Sequence, residues 1–281
     1  MSLSKNYLEL LEKAKKLSKT NLDVLIIGEN GVGKHWLLQH ITEDSAIEKV
    51  DCQEWKSSLN ILSKIVTHKV NIFHFSYIDN LDPEGQLVLL RTLEKRELIF
   101  NECSFKVKRL YFTSHPSIKE KVNKGEFRED LYKKISAIQL SIPALRDRKD
   151  DIPYYVEIFL GEVCKKFRKK IPQISDGFVE FLYSRTWEGN LTELKSLLES
   201  LILFGKGRTL DLKNIPEIYK AKPIVRQDIP VMHGIKLEDY EKEIIRANLI
   251  YFEGNRKKTS EVLGVSERNL YRKIKLYKIE K

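Results

Sequence analysis

Apolar positions in this chain change period along its length. Val24 to Ile27, Val70 to Ile78, Leu110 to Thr113 and Ile138 to Ile142 are short apolar runs rich in β-branched and aromatic residues. That is the pattern of strands buried on both faces. Helical spacing lies between them, and Leu8, Leu11 and Ala14 are spaced like one face of a leading helix. Strands alternating with helices as far as residue 142 predict a parallel α/β sheet. From Asp151 onward the spacing is helical only, in three segments broken at Ile171-Pro172 and at Trp187-Glu188-Gly189-Asn190, which predicts a small all-helical subdomain. Ala221-Lys222-Pro223 to Asp228-Ile229-Pro230 is polar, proline-bounded and weakly patterned, as a linker is. The expected division is an α/β part over residues 1–145, a helical part over 146–220, a linker over 221–233 and a last helical domain over 234–281.

Composition narrows the class. The chain has 281 residues and 42% hydrophobic content, enough to bury a core in about two domains. No run approaches the roughly 18 apolar residues of a membrane span, and the charged start lacks a signal-peptide apolar segment. A soluble cytoplasmic protein with no membrane partner is expected. Cys52, Cys103 and Cys164 are scattered, without the close pairs of a disulfide framework or zinc site, so reduced thiols and no metal site are expected.

Net charge matters once it is located. The formal +10 is concentrated at the end, where Gly254 to Lys281 holds nine Lys or Arg against three Glu. Such a tail points to a polyanion partner. The other basic run, Lys165-Lys166-Phe167-Arg168-Lys169-Lys170, ends an amphipathic helix pattern and reads as a solvated face.

Two stretches carry chemistry. Gly28-Glu29-Asn30-Gly31-Val32-Gly33-Lys34 fits G-x-x-x-x-G-K between a strand and the helical Trp36 to Ile41. There glycines let backbone N–H groups close around phosphates, Lys34 supplies a point charge and the helix N-terminus adds its dipole. ATP or ADP is the expected ligand, with Gly28, Glu29, Asn30, Gly31, Val32, Gly33, Lys34 and His35 as its loop. The Ser or Thr that ordinarily reaches Mg²⁺ is replaced by His35, so magnesium is held weakly at most. Near the C-terminus, Leu237, Tyr240, Ile244, Ile245, Leu249 and Phe252 line one face of a long helix, Gly254-Asn255 ends it, and Lys257 to Leu263 and Ser266 to Leu276 form helix, turn and helix. Ser266 is a good N-cap. Leu270, Ile274 and Tyr277 are spaced to face a core, leaving Arg268, Asn269, Arg272, Lys273 and Lys275 for the other side. With Ser266 these form the expected DNA-binding set: arginine for guanine edges, asparagine for adenine, lysine for phosphate.

The order of motifs resembles the sigma-54-dependent enhancer-binding activators of bacteria, which are AAA+ ATPases. GENGVGKH is similar to that family's GESGTGKE loop, and Val50-Asp51-Cys52 to its VNC segment. Gln86 to Arg91 resembles its Q-x-x-L-L-R helix, Phe127-Arg128-Glu129-Asp130-Leu131-Tyr132 is its FREDLY motif, and Leu145 to Pro153 is close to LRERREDIP. Trp187-Glu188-Gly189-Asn190-Leu191 stands in for WPGNV, and Glu253 to Tyr277 looks like the Fis-type helix-turn-helix that ends most members. The resemblance implies a P-loop AAA+ α/β domain with a helical lid, then an all-α Fis-type domain. It further implies double-stranded DNA as partner, a homodimer through the C-terminal domain, and a higher oligomer where the AAA+ parts assemble.

The departures carry as much meaning as the matches. Counted back without gaps from Gln86, the family's LDEIG falls on Phe75-Ser76-Tyr77-Ile78-Asp79, so Ser76 and Tyr77 occupy the places of the Walker B acids. Neither supplies a carboxylate to hold Mg²⁺ or orient water. A three-residue shift would put Asp79 in the metal role but leaves Asn80 where the Glu is needed. Thr192 replaces a sensor arginine. Of the two arginines that contact a neighbouring subunit's nucleotide, Arg128 is kept and the second is Lys134, which lacks the guanidinium fork. His115 stands where the family's sensor strand places a polar residue. The GAFTGA loop, which reaches sigma-54, is absent: only 41 residues separate Lys34 from Ser76, and Trp55 to Lys64 reads as one helix. The expectation is a DNA-binding transcription regulator on a degenerate AAA+ scaffold, binding nucleotide with little or no hydrolysis, with no catalytic residue assigned and sigma-54 not engaged. The alternatives are an ATP-hydrolysing sigma-54 activator and a non-catalytic subunit of a mixed AAA+ assembly.

Overall fold

The computed structural model describes residues 3–42, 46–65, 71–100, 103–205, 209–216, 219, 237–252, 254–277 and 279. It divides into two compact units, Met1–Pro223 and Ile224–Lys281. The expected linker and the expected start of the last domain lie outside the described residues.

The first unit is built on a five-stranded sheet in the order β2-β3-β6-β1-β7, with β1 Val24–Ile27, β2 Glu48–Asp51, β3 Ile72–Ser76, β6 Arg109–Ser114 and β7 Gln139–Ser141. Every pairing in it is parallel. β1 shows why the sheet needs cover on both sides. Leu25 and Ile27 pack on one face with Phe73, Phe75 and Phe112, while Val24 and Ile26 pack on the other with Tyr111 and Leu140. The first face is covered by α3 Trp55–Ile65, α4 Pro83–Lys95, α5 Ile118–Asn123 and α6 Glu129–Ile135, the second by α1 Lys5–Ser18 and α2 Lys34–Thr42.

Several expectations change in detail. The strand read over Val70 to Ile78 ends earlier, at Ser76, because Tyr77 turns into the left-handed region at φ 55° and a single 3-10 turn, Ile78–Asn80, follows; Val70 lies outside the described residues. The buried face of α1 is Tyr7, Leu10 and Ala14, not Leu8, which is exposed. Tyr7 lies under the Arg148 guanidinium, 4.4 Å from it. An antiparallel hairpin, β4 Glu97–Phe100 with β5 Cys103–Lys106, was not legible as strands.

The lid is α7 Ile152–Phe167, α8 Asp176–Ser184 and α9 Asn190–Phe204, around a core that includes Trp187, Phe178 and Leu194. It is not wholly helical: β8 Gln173–Ile174 pairs in parallel with β9 Thr209–Leu210. The basic run behaves partly as structure, since Lys169 donates to the Ile202 and Leu203 carbonyls that end α9. The second unit holds α10 Leu237–Tyr251, α11 Arg256–Leu263 and α12 Glu267–Leu276.

Candidate nucleotide site and DNA-reading helix

β1, β3 and β6 end together, with Ile27 beside Ser114 across β1 and β6 and Asp51 beside Ser76 across β2 and β3. In open parallel sheets ligands bind beyond these carboxyl ends. The glycine loop leaves β1 here and leads straight into α2 at Lys34. Gly31 and Gly33 have φ of 78° and 105°, values an L side chain resists, and these turns curl the loop. Gly28 is wedged so that a Cβ would meet Val32 Cγ2 at 2.7 Å. Val32 is buried, and its carbonyl accepts 2.8 Å from Arg148 Nη2.

Lys34 donates to the Gly28 and Glu29 carbonyls at 2.6 and 2.9 Å. Burial pulls its pKa below the ordinary lysine value, against the Asp79 and Glu29 carboxylates that favour its charge. His35 is exposed on the first turn of α2.

Lid residues hold the loop from outside. Arg146 pairs with both Glu29 carboxylate oxygens and keeps that carboxyl below its usual range. Asn190 is fully buried with φ 53°; its amide donates to the Asn30 carbonyl at 2.9 Å and to Glu29 Oε2 at 3.2 Å, while its oxygen accepts from Leu145 N at 2.7 Å. Leu191 N donates to the Gly31 carbonyl at 3.0 Å. Thr192 lies beside Gly31, its hydroxyl 3.0 Å from where a Cβ there would stand. The roles of Arg146, Arg148 and Asn190 were missed in the sequence, although each lies in a motif already singled out.

At the end of β3, Ser76 is buried and its hydroxyl faces the Val50 carbonyl at 3.4 Å. Tyr77 is 39% exposed. Two carboxylates stand at this end of the sheet, Asp51 beside Ser76 and Asp79, which is 8% exposed. Asp79 Oδ1 accepts from Ser114 Oγ and His115 N, both at 3.1 Å, and Lys121 Nζ stands 3.7 Å from Asp79 Oδ2. The Nδ1 of His115 is held by Ser117, whose backbone N–H donates to it at 3.2 Å. Behind them, burial pushes His74 down to about 3, and its ring shares a 3.0 Å hydrogen bond with Thr113.

The glycine cradle and Lys34 fit the phosphates of a nucleotide. Next to Lys34, His35 brings an exposed imidazole, and Ser76 at the end of β3 brings a buried hydroxyl. Among the described residues no group of three His, Cys, Asp or Glu is arranged to hold a metal.

Arg128 and Lys134 lie at opposite ends of α6 and are not brought to the loop. Arg128 is paired with Asp130, and Lys134 lies 3.3 Å from Glu94. In the segment between loop and β3, α3 is latched down: Trp55 Nε1 donates to Asp82 at 3.0 Å, the indole packs edge-on to Phe100, and Lys56 pairs with Glu84.

In the second unit Ser266 caps α12, accepting from Asn269 N at 3.3 Å, and Leu270 is fully buried. Arg268, Arg272 and Lys275 are exposed together, and Arg272 donates to Asn269 Oδ1 at 3.1 Å. Lys273 does not join them. It turns inward to Glu241 of α10 at 2.5 Å, with its side chain 20% exposed.

Three family models cover the chain: the Sigma-54 interaction domain over residues 1–145, the AAA+ ATPase lid domain over 146–230, and the bacterial regulatory protein Fis family over 236–277. A signal-transduction and transcriptional-control protein of Clostridium beijerinckii is 28% identical, across 96% of this chain and 47% of its own length. The transcriptional regulatory protein ZraR of Escherichia coli K12 is 26% identical across 94% and 66%. This chain thus spans about half to two thirds of the curated relatives it matches. NtrX of Brucella abortus, crystallised with ADP, shares the fold with a TM-score of 0.69 at 22% identity, over 99% of this chain and 70% of that one. No helix among the described residues is long and apolar enough to cross a membrane. The chain belongs to the sigma-54 interaction domain family, with an AAA+ α/β domain and lid followed by a Fis-family helix-turn-helix domain.

Proposed function

We propose that the chain is a cytoplasmic DNA-binding transcription regulator that holds ATP or ADP without turning it over at a useful rate and does not engage sigma-54. The observation that carries this reading is the end of β3. Ser76 and Tyr77 bring no carboxylate, and Asp79, which follows them in the chain, already accepts from Ser114 and His115 and faces Lys121. A general base needs a free oxygen within reach of water, and Asp79 has little to offer.

The glycine loop and Lys34 hold the phosphates, so nucleotide acts as a ligand that stabilises the closed lid by mass action. Arg146, Asn190 and Leu191 give that linkage a route, since they join lid to loop. The latched α3 helix supports the absence of a sigma-54-reaching loop.

DNA is read by α12 through Arg268, Arg272 and Lys275, with Ser266 and Asn269 at its start. A homodimer through the second unit is supported by its exposed apolar side chains, Ile250 at 71% and Leu276 at 69%. The natural domain division is residues 1–145, 146–220, a linker over 221–233, and 234–281.

The test is nucleotide binding and turnover by the purified chain, with and without DNA. Binding lost in Lys34→Ala with no steady hydrolysis in the wild type is the expected result; steady hydrolysis abolished by Lys34→Ala overturns it. For DNA, Arg268→Ala with Arg272→Ala is expected to lower promoter affinity at least tenfold.

A further inference from the structure

One carboxylate joins the first and last helices of the second unit. Glu241 on α10 accepts from Lys273 Nζ at 2.5 Å through Oε1, and from the Tyr277 hydroxyl at 2.5 Å through Oε2. Its two partners are four residues apart, hence stacked on one face of α12. Both oxygens are used, each on a different turn. Leu270 fixes how deeply α12 packs, because it is fully buried, but an apolar contact alone leaves rotation about the helix axis loosely set. Two directed bonds from one carboxylate set it.

The consequence falls on the DNA-facing set. Residues on a helix are 100° apart, so Lys273 lies on the flank toward α10 while Arg268, Arg272 and Lys275 cluster opposite Leu270. Lys273 also lies 5.9 Å from the Tyr277 ring centroid, as a further hold on its ammonium.

We infer that Glu241 is a positioning residue for DNA reading: it fixes the rotation of α12 and withdraws Lys273 from the DNA surface, leaving Arg268, Arg272 and Lys275 to meet the duplex. This rests on the reading of α12 as the recognition helix. The same contacts leave a signature without DNA. Hydrogen bonds from Lys273 and Tyr277 hold the Glu241 carboxyl below its usual range, and the neighbouring carboxylate pushes the Tyr277 phenol up to about 12.

The experiment has two arms on the full chain. In the first, affinity for a promoter duplex is measured by fluorescence anisotropy against salt. Each phosphate contact contributes about 0.9 to the slope of log affinity on log salt. Lys275→Met is expected to reduce that slope by about 0.9, Lys273→Met to leave it unchanged, and Glu241→Gln to steepen it as Lys273 is released. In the second arm the Tyr277 phenol is titrated by NMR with ring-labelled tyrosine, assigned with Tyr277→Phe. It is expected near 12 in the wild type and nearer the ordinary value in Glu241→Gln. Equal slope losses in Lys273→Met and Lys275→Met overturn the inference, as does an ordinary Tyr277 titration in the wild type. If no form binds DNA, the reading of α12 falls, while the tyrosine titration still decides the clamp.

Discussion

The guanidinium of Arg128 is turned onto its own chain: Nε lies 3.0 Å from Oδ1 of Asp130 and Nη2 lies 2.7 Å from Oδ2. This is the forked geometry by which arginine grips a planar anion. A residue whose sequence position implied reaching a neighbour's nucleotide is thereby occupied at home, and Lys134 is likewise drawn to Glu94.

Arg128→Ala is therefore expected to leave the nucleotide affinity of the isolated chain within about twofold, whereas Lys34→Ala lowers it at least tenfold, roughly 1.4 kcal/mol or more. Competition against a fluorescent ADP measures both. A tenfold loss in Arg128→Ala would place that side chain at a nucleotide after all.

Asp82 joins two elements with one oxygen. Its Oδ1 accepts from Gly85 N at 2.7 Å, capping α4, and from Trp55 Nε1 at 3.0 Å, latching α3. Removing it loses a cap and leaves a buried indole N–H unpaired, so Asp82→Ala should cost about 2 kcal/mol. Asp82→Asn, which keeps the acceptor, should cost less than half of that. Urea unfolding followed through tryptophan fluorescence reads both, and equal losses would mean that the carboxylate charge, not the acceptor, matters.

How far the site could be read from sequence depends on whether its contacts are local. The glycine loop was legible because strand, turn and helix follow one another within a dozen residues. That Ser76 and Tyr77 carry no acid is plain from the residues themselves, and the structure puts them at the end of β3. The position of Asp79 was not legible, because it follows from Tyr77 turning left-handed and from donors at and just past the end of β6, more than thirty residues away. The same limit hid the inward turn of Lys273. Helical periodicity puts it on a flank, and only Glu241, 32 residues earlier, decides which way a long flexible side chain leans. The hairpin of β4 and β5 was hidden by its short length, four residues to each strand.

His74 gives the fold an acid-sensitive element. Its pKa falls from 6.5 to about 3 because burial disfavours the charged ring. The unfolded chain then binds more protons than the folded one between these values, so stability is full above about pH 6.5 and declines as pH drops toward 3. The slope contributed approaches one proton, about 1.4 kcal/mol per pH unit. His74→Asn, scanned from pH 7 to pH 4 by chemical denaturation, should show a flatter pH dependence by nearly that amount. An unchanged slope would mean that His74 accepts its proton within the folded state.

Gly31 is one of the residues at which lid and loop meet, and a methyl group there tests the seam directly. A Cβ on Gly31 would sit 2.2 Å from the Gly189 carbonyl and 3.0 Å from the Thr192 hydroxyl, with φ at +78°. Gly125 supplies the control, since its φ is +74° and a Cβ there meets nothing within 4 Å. Both substitutions carry the left-handed penalty of about 1–2 kcal/mol, so their difference reports the steric clash alone. The nearest atom at Gly31 is backbone, on the turn that carries Asn190 and Leu191, and it cannot move aside without breaking the bonds to Asn30 and Gly31. Gly31→Ala is therefore expected to be less stable than Gly125→Ala by at least about 1 kcal/mol and to lose nucleotide affinity, while Gly125→Ala keeps it. Denaturant midpoints and ADP titration on the two proteins measure this. Equal stabilities with intact ADP binding would mean that the lid stands clear of the loop in solution.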